Sequence, residues 1–256
     1  MIRSALALLG LLALPLAAAA QNDRPLLANE PPLERLPVSR FSVTPYLGVR
    51  VPFNSGTEIL VTEGGDQFAL RSERGGAAMV GLDATARIRG PVHLLVGGAY
   101  SGRHDDVITV ANTAGTDTAL AQGAAFWFLR AGVQVRLADP APDNRRFHPS
   151  AFITAAPAIV WTDWKDVEGF PAAANGSSHH FGFNLGVDGA ARIGKSDNWS
   201  FTVGAQDYVV FWNNDRLTAR DETIGQVLLG EPVAVTYDYS SSNILALRFG
   251  ISYRFR

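Results

Sequence analysis

The closing stretch of this chain, residues 244–255, alternates between two kinds of side chain with almost no error. Leu245, Leu247, Phe249, Ile251, Tyr253 and Phe255 fall on one face, and Ala246, Arg248, Gly250, Ser252 and Arg254 on the other. Successive residues of a β-strand point to opposite sides, so the segment is apolar on one side and carries arginine and small residues on the other. That suits a wall with hydrocarbon outside and a polar lumen inside. A water-soluble barrel needs the reverse, an apolar interior and a wet exterior.

Seven further segments read as strands. Residues 41–52 set Val43, Leu47, Val49 and Val51 against Thr44, Tyr46, Gly48 and Arg50, and residues 77–89 set Val80, Leu82, Ala84 and Ile88 against Gly81, Asp83, Thr85, Arg87 and Arg89. Residues 92–103, 125–137 and 179–193 repeat the scheme. Two segments are irregular. Residues 152–161 alternate poorly and contain Pro157, which an inward bulge would tolerate. In residues 199–212, Asp207 falls on the same face as Phe201, Val203, Val209 and Phe211. Either a bulge near Gln206 shifts the register there, or the aspartate is a functional exception. Alternation explains how a chain that is 47% hydrophobic has no apolar run after its first residues long enough for a membrane helix.

The connections differ in length by side. Links 52–76, 104–124, 162–178 and 213–241 are long, Gly90-Pro91 and 194–198 are short, and 138–149 is intermediate. Long loops on one side and short turns on the other are the asymmetry of outer-membrane barrels. The expected fold is therefore all-β: an antiparallel up-and-down transmembrane β-barrel of eight strands with long extracellular loops and short periplasmic turns. Stretches 59–70 and 226–239 are β-prone and are expected to extend strands or add a hairpin. Tyr100, Trp127, Trp161, Phe181 and Trp212 lie at loop ends, and Phe41, Trp199, Tyr253 and Phe255 at turn ends, as two interfacial belts would.

The amino terminus sets the compartment. Arg3, the apolar residues 5–16 and Ala18-Ala19-Ala20 read as a signal peptide over 1–20 cleaved near Ala20. Residues 21–40, with Pro25, Pro31, Pro32 and Pro37, read as an extended periplasmic segment, leaving 41–256 as the barrel domain. The expected location is the outer membrane of a Gram-negative-type bacterium. With Cys 0 there is no disulfide framework, and a net charge of −2 gives no electrostatic case for nucleic acid.

Over residues 41–256 the chain resembles the small eight-stranded outer-membrane barrel proteins, the opacity-protein-like and porin-family surface antigens. The closing segment looks like the carboxy-terminal signal read by the outer-membrane assembly machinery, here Phe249, Ile251, Tyr253 and Phe255, although Arg256 and not an aromatic is last. The resemblance implies outer-membrane lipid, lipopolysaccharide and the assembly machinery as partners, with an extracellular ligand reached through loops. It implies no catalysis, since the group shares no catalytic motif.

Four inward charges, Asp83, Arg130, Asp188 and Arg248, are expected at middle depth as a salt-bridge network plugging the lumen. Arg87, Arg89, Arg136, Arg192 and Arg254 collect near the periplasmic mouth, either snorkelling at the interface or attracting anions. The loops are acidic, Glu58 and Asp221 among them, without calcium-loop spacing. Enzymatic candidates are His104-Asp105-Asp106 for a surface protease and Ser177-Ser178-His179-His180 for a lipid deacylase. Neither matches a barrel-enzyme signature, and no metal or cofactor site is expected. The expected role is structural or surface-interactive; the alternatives are a barrel enzyme acting on envelope lipid or peptide, and a narrow solute channel gated by the network.

Overall fold

The computed structural model describes residues 41–112, 117–137, 149–165, 167–193 and 198–255. They form β1 (Phe41–Arg50), β2 (Phe53–Thr62), β3 (Gln67–Arg74), β4 (Ala77–Arg89), β5 (Val92–Asn112), β6 (Asp117–Arg136), β7 (Pro149–Trp164), β8 (Gly176–Arg192), β9 (Trp199–Phe211), helix α1 (Asn214–Leu229), β10 (Val233–Tyr237) and β11 (Ser241–Phe255). Residues 1–40, expected as a signal peptide and a proline-rich segment, lie outside the described residues, as do most of both longer periplasmic turns and Arg256.

Eight strands close on themselves. β1 pairs with β4 and β11, β5 pairs with β4 and β6, and β6 through β9 run in order to β11, every pair antiparallel. Leu245 faces Asp207 across one pair, and the ladder continues through Leu185, Ala155, Val133, Leu94, Ala86 and Phe41 to Phe255, ten residues along the starting strand. That stagger is the shear of a closed barrel; strands then tilt by roughly 35–45° and the interior is just wide enough for side chains to fill.

The two faces separate as the alternation requires. Leu47 (57% exposed) and Phe249 (52%) point outward, as do Leu82, Val96, Leu129, Leu185 and Val203, while Tyr46, Asp83, Arg130 and Arg248 are buried within. Rings meet at both rims: Tyr100 lies 4.5 Å from Trp127 at one, and Trp199 lies 4.7 Å from Tyr253 and Phe41 5.3 Å from Phe255 at the other. Trp212 is not part of the outer belt. It is buried in the lumen, its ring 4.7 Å from His180.

Both irregular segments keep strict register. β7 runs through Pro157 without a bulge: Arg130 faces Ala158 and Val133 faces Ala155, with no β6 pairing at Pro157. The proline, which has no N–H to give, sits where the ladder is interrupted. At that gap Gly132 lies so close to Ala155 and Ala156 that a Cβ would collide with their backbone. β9 likewise has no bulge, so Asp207 faces outward between Leu185 and Leu245, with Asn243 donating to its Oδ2 at 2.8 Å.

The outer connections are not open loops. β5 continues to Asn112 and β6 begins at Asp117, so most of 104–124 is a hairpin rising above the barrel. β2 and β3 form a second hairpin within 52–76, and β3 pairs with residues 107–112 of β5 above the point where β4 ends. β10 adds to β2, giving a curved outer sheet ordered β10-β2-β3-β5. Residues 226–229, expected as β, belong instead to α1, which ends where Gly230 takes a left-handed φ of 78° and donates to the Gln226 carbonyl. Leu60, Leu70, Ile108, Val110 and Ile224 make a second apolar core between this sheet and the helix.

Candidate functional site

The middle of the lumen is built from two equivalent rungs. Asp83, Gly97 and Arg130 sit side by side on β4, β5 and β6. Asp188, Gly204 and Arg248 sit side by side on β8, β9 and β11. Acid and base are two strands apart in each, and can meet only across the middle strand. Glycine allows it: a Cβ at Gly97 would overlap the Asp83 carboxylate, and one at Gly204 the Asp188 carboxylate.

Each rung closes as a forked ion pair. Arg130 Nη2 donates to Asp83 Oδ1 and Oδ2 at 2.9 and 2.8 Å, and Arg248 Nε and Nη2 donate to Asp188 Oδ1 and Oδ2 at 2.9 and 2.7 Å. Arg248 Nη1 also donates to Asp83, joining the rungs. Arg130 Nη1 donates to Asn184 (2.5 Å) and Gln206 (2.6 Å), and the Gln206 amide donates on to Asp188 at 3.2 Å. Tyr46 stacks 4.8 Å from the Arg248 guanidinium. Arg130 is 1% exposed and Asp83 3%. Such burial is tolerable because two carboxylates and two guanidiniums balance in charge and nearly every donor is used. The four residues expected as a lumen network therefore form one connected unit. Sequence reading missed Asn184, Gln206 and Tyr46, which face inward but carry no charge to mark them.

Above this layer the lumen is aromatic rather than polar. Phe126, Phe128, Tyr208 and Val210 fill it, and Arg50 lies 4.5 Å over Phe126 while donating to Ser101. Over that sits the cap. Arg220 of α1 stacks 4.4 Å from Trp164, and donates to Gln122 at 2.6 Å and to its neighbour Asp221 at 2.5 Å. Tyr237 donates to Asp221, and Tyr239 lies 2.5 Å from Glu58. Glu58 and Asp221, expected among the solvated loop acids, are each 2% exposed. Burial, then the Asp221 charge, pushes the Glu58 carboxyl up to about 8, against the hydrogen bond from Tyr239. Burial raises Asp221 as well, opposed chiefly by Arg220. A signal for this cap was present: Leu217, Arg220, Asp221 and Ile224 have helical spacing, with Gly230 just beyond.

Of the enzymatic candidates, Ser178 and His180 face the lumen and touch, Oγ to Nε2 at 2.6 Å. His180 Nδ1 accepts the backbone N–H of Asn213 at 3.0 Å. A neutral ring that accepts at Nδ1 carries its proton on Nε2 and donates it to Ser178, the opposite of what activates a serine. Ser177 and His179 point to the other side. His104, Asp105 and Asp106 are in β5 just beyond a bulge, opposite Ala124, Gly123 and Gln122. Among the described residues no group of three or more His, Cys, Asp or Glu is placed to hold a metal.

No protein-family model matches the chain, and no curated protein matches it in sequence. Among solved structures it is similar to outer membrane protein OprG from Pseudomonas aeruginosa, at 12% identity and a TM-score of 0.49 over 85% of this chain and 96% of that one. It is also similar to Neisserial surface protein A, at 10% identity and 0.43 over 85% and 98%. A third is the outer membrane protease OmpT from Escherichia coli, at 10% identity and 0.37 over 84% and 97%. The fold assignment stands on this barrel's own closure, apolar exterior and filled charged interior, which together make the chain an eight-stranded transmembrane β-barrel of the outer-membrane type.

Proposed function

We propose that this chain is a non-conducting, non-catalytic outer-membrane barrel that serves the envelope structurally and presents its folded cap at the cell surface. The observation that carries this reading is the buried Asp83–Arg130–Asp188–Arg248 network, which occupies the middle of the lumen. α1 and its apolar core stand above it at the outer mouth. A solute crossing the barrel would have to break several charge-assisted bonds in a dry interior. The Ser178–His180 tautomer argues against the lipid-deacylase alternative. Phe249, Ile251, Tyr253 and Phe255 stand along the outward face of β11 as the segment the assembly machinery reads, and the apolar belt faces lipid, with lipopolysaccharide around the outer rim. A ligand for the cap would be an extracellular one. Reconstitution in planar bilayers tests the reading: the full chain is expected to give no steady unitary current, whereas stable single-channel steps would overturn it in favour of the gated channel.

A further inference from the structure

The outer sheet lifts the barrel wall beyond the membrane in the barrel's own strand order. β2 follows β1 and stands beside β10, as β1 stands beside β11, into which β10 runs through residues 238–240. The next barrel strand, β9, stops at Phe211, where the chain turns aside into α1. The raised wall therefore ends at β10, which pairs with β2 alone. None of the residues of β10 is buried, and Ala234 and Thr236 are exposed.

The ladder fixes which backbone groups this edge presents. One step beyond the Tyr237–Glu58 pair, the Asp238 N–H donates to the Thr57 carbonyl at 3.4 Å. Thr62, opposite Val233, turns its N–H away from β10, to the Asp66 carbonyl at 3.0 Å. Antiparallel partners alternate between bonded and unbonded positions. Ala234 and Thr236 thus bond to β2, while Val233, Val235 and Tyr237 aim N–H and C=O out from the sheet edge. Among the described residues no group bonds to them there.

Exposed edges are ordinarily guarded by a charge, a proline or a bulge within the strand. Val-Ala-Val-Thr-Tyr carries none of these, and its valines, threonine and tyrosine favour extended backbone. Val233 and Val235 lie on the side of the second apolar core, and Ala234 and Thr236 on the side of water. An acid stands near each end, Glu231 and Asp238.

We infer that β10 is a docking edge for an extended segment of a soluble extracellular protein, which adds as an antiparallel strand with apolar residues opposite Val233, Val235 and Tyr237 and a basic residue at each end. Main-chain bonds give such a contact its affinity, and alternating side chains and flanking charge its specificity. A second copy in the same membrane does not fit. Both copies point the same way, so a two-fold axis along the membrane normal would set two β10 strands parallel, with their apolar faces on opposite sides. The inference rests on the proposed display of the cap at the cell surface.

The test uses the full chain in neutral detergent and a capped Lys-Val-Thr-Val-Thr-Val-Lys peptide as probe. Saturable binding is expected, with the amides of Val233, Val235 and Tyr237 gaining protection from hydrogen exchange, read by NMR. Methylating the valine nitrogens, which face β10 in this register, is expected to weaken binding by roughly tenfold or more, and methylating the threonine nitrogens to leave it unchanged. No saturable binding, equal binding by the two methylated peptides, or binding without protection at these three amides would overturn the proposal. So would protection of all three before peptide is added, which would assign the edge to a second copy. Thr236→Cys, the only thiol in a chain with Cys 0, separates this from the reading beneath it. Failure of an impermeant thiol reagent to label it on intact cells would overturn the display of the cap, whereas labelling without peptide binding would overturn the docking edge alone.

Discussion

Replacing Asp83 with leucine leaves two guanidiniums, those of Arg130 and Arg248, facing the single carboxylate of Asp188. Arg130 loses both of its bonds to a charged acceptor and keeps only Asn184 and Gln206. Breaking a buried pair by removing one partner costs about 3–5 kcal/mol. At about 1.4 kcal/mol per tenfold, that is between two and four orders of magnitude in the folded-to-unfolded ratio. R130M alone is expected to cost about the same. The double variant D83L/R130M is different, because it leaves the forked Arg248–Asp188 pair intact and balanced in charge. Apolar replacement of a whole buried pair is often neutral, so the double is expected to cost no more than either single. The coupling energy should then be about 3 kcal/mol or more. Urea titration of the barrel in phospholipid vesicles, followed by tryptophan fluorescence, measures all four corners of this cycle. If the single costs simply add in the double variant, the two residues are not one electrostatic unit and the argument from rung geometry fails.

Three further outcomes follow from particular contacts. Gly204→Ala is expected to destabilise the barrel by about 2–3 kcal/mol through overpacking, whereas Gly189→Ala, whose added methyl meets Val203 at 3.8 Å, should cost under about 1 kcal/mol in the same titration. In the cap, the folded state holds a proton on Glu58 up to about pH 8 that an unfolded chain releases near 4.5. Cap stability is thus greatest below about 4.5, declines as pH rises toward 8, and levels off above. Hydrogen exchange of the α1 amides, corrected for intrinsic rate, should show this decline in the wild type and a much flatter profile in Glu58→Gln; identical profiles would contradict it. Asp207→Asn keeps an oxygen for Asn243 but removes charge from the lipid face, and is expected to stabilise the barrel by about 1 kcal/mol.

The barrel was legible because its information is local. In residues 244–255 each side chain declares its environment by its polarity, and a period of two translates that directly into inside and outside. The same rule put Asp83, Arg130, Asp188 and Arg248 in the lumen and Phe249, Ile251, Tyr253 and Phe255 on the lipid face. It failed where polarity and position disagree. Asp207 tempts a reader to shift register by one, yet the pairing with Leu185 and Leu245 holds, since a slip would turn every neighbouring phenylalanine and valine inward.

The cap was hidden for the opposite reason. Glu58, Arg220 and Asp221 look like ordinary polar loop residues in the chain, and their burial arises only when β2, β6, α1 and β10 come together.

Alternation, loop lengths and rim aromatics were enough to specify the cylinder, its orientation and which charges it encloses, because each of these reads out one residue's preference for lipid or water. Which charges pair, that Gly97 and Gly204 clear the way for them, and that a helix packs onto the outer sheet depended on strands meeting at a stagger of ten residues. Contacts across strands far apart in the chain leave no local trace, so the cylinder and the charges inside it could be foreseen and the geometry of their pairing could not.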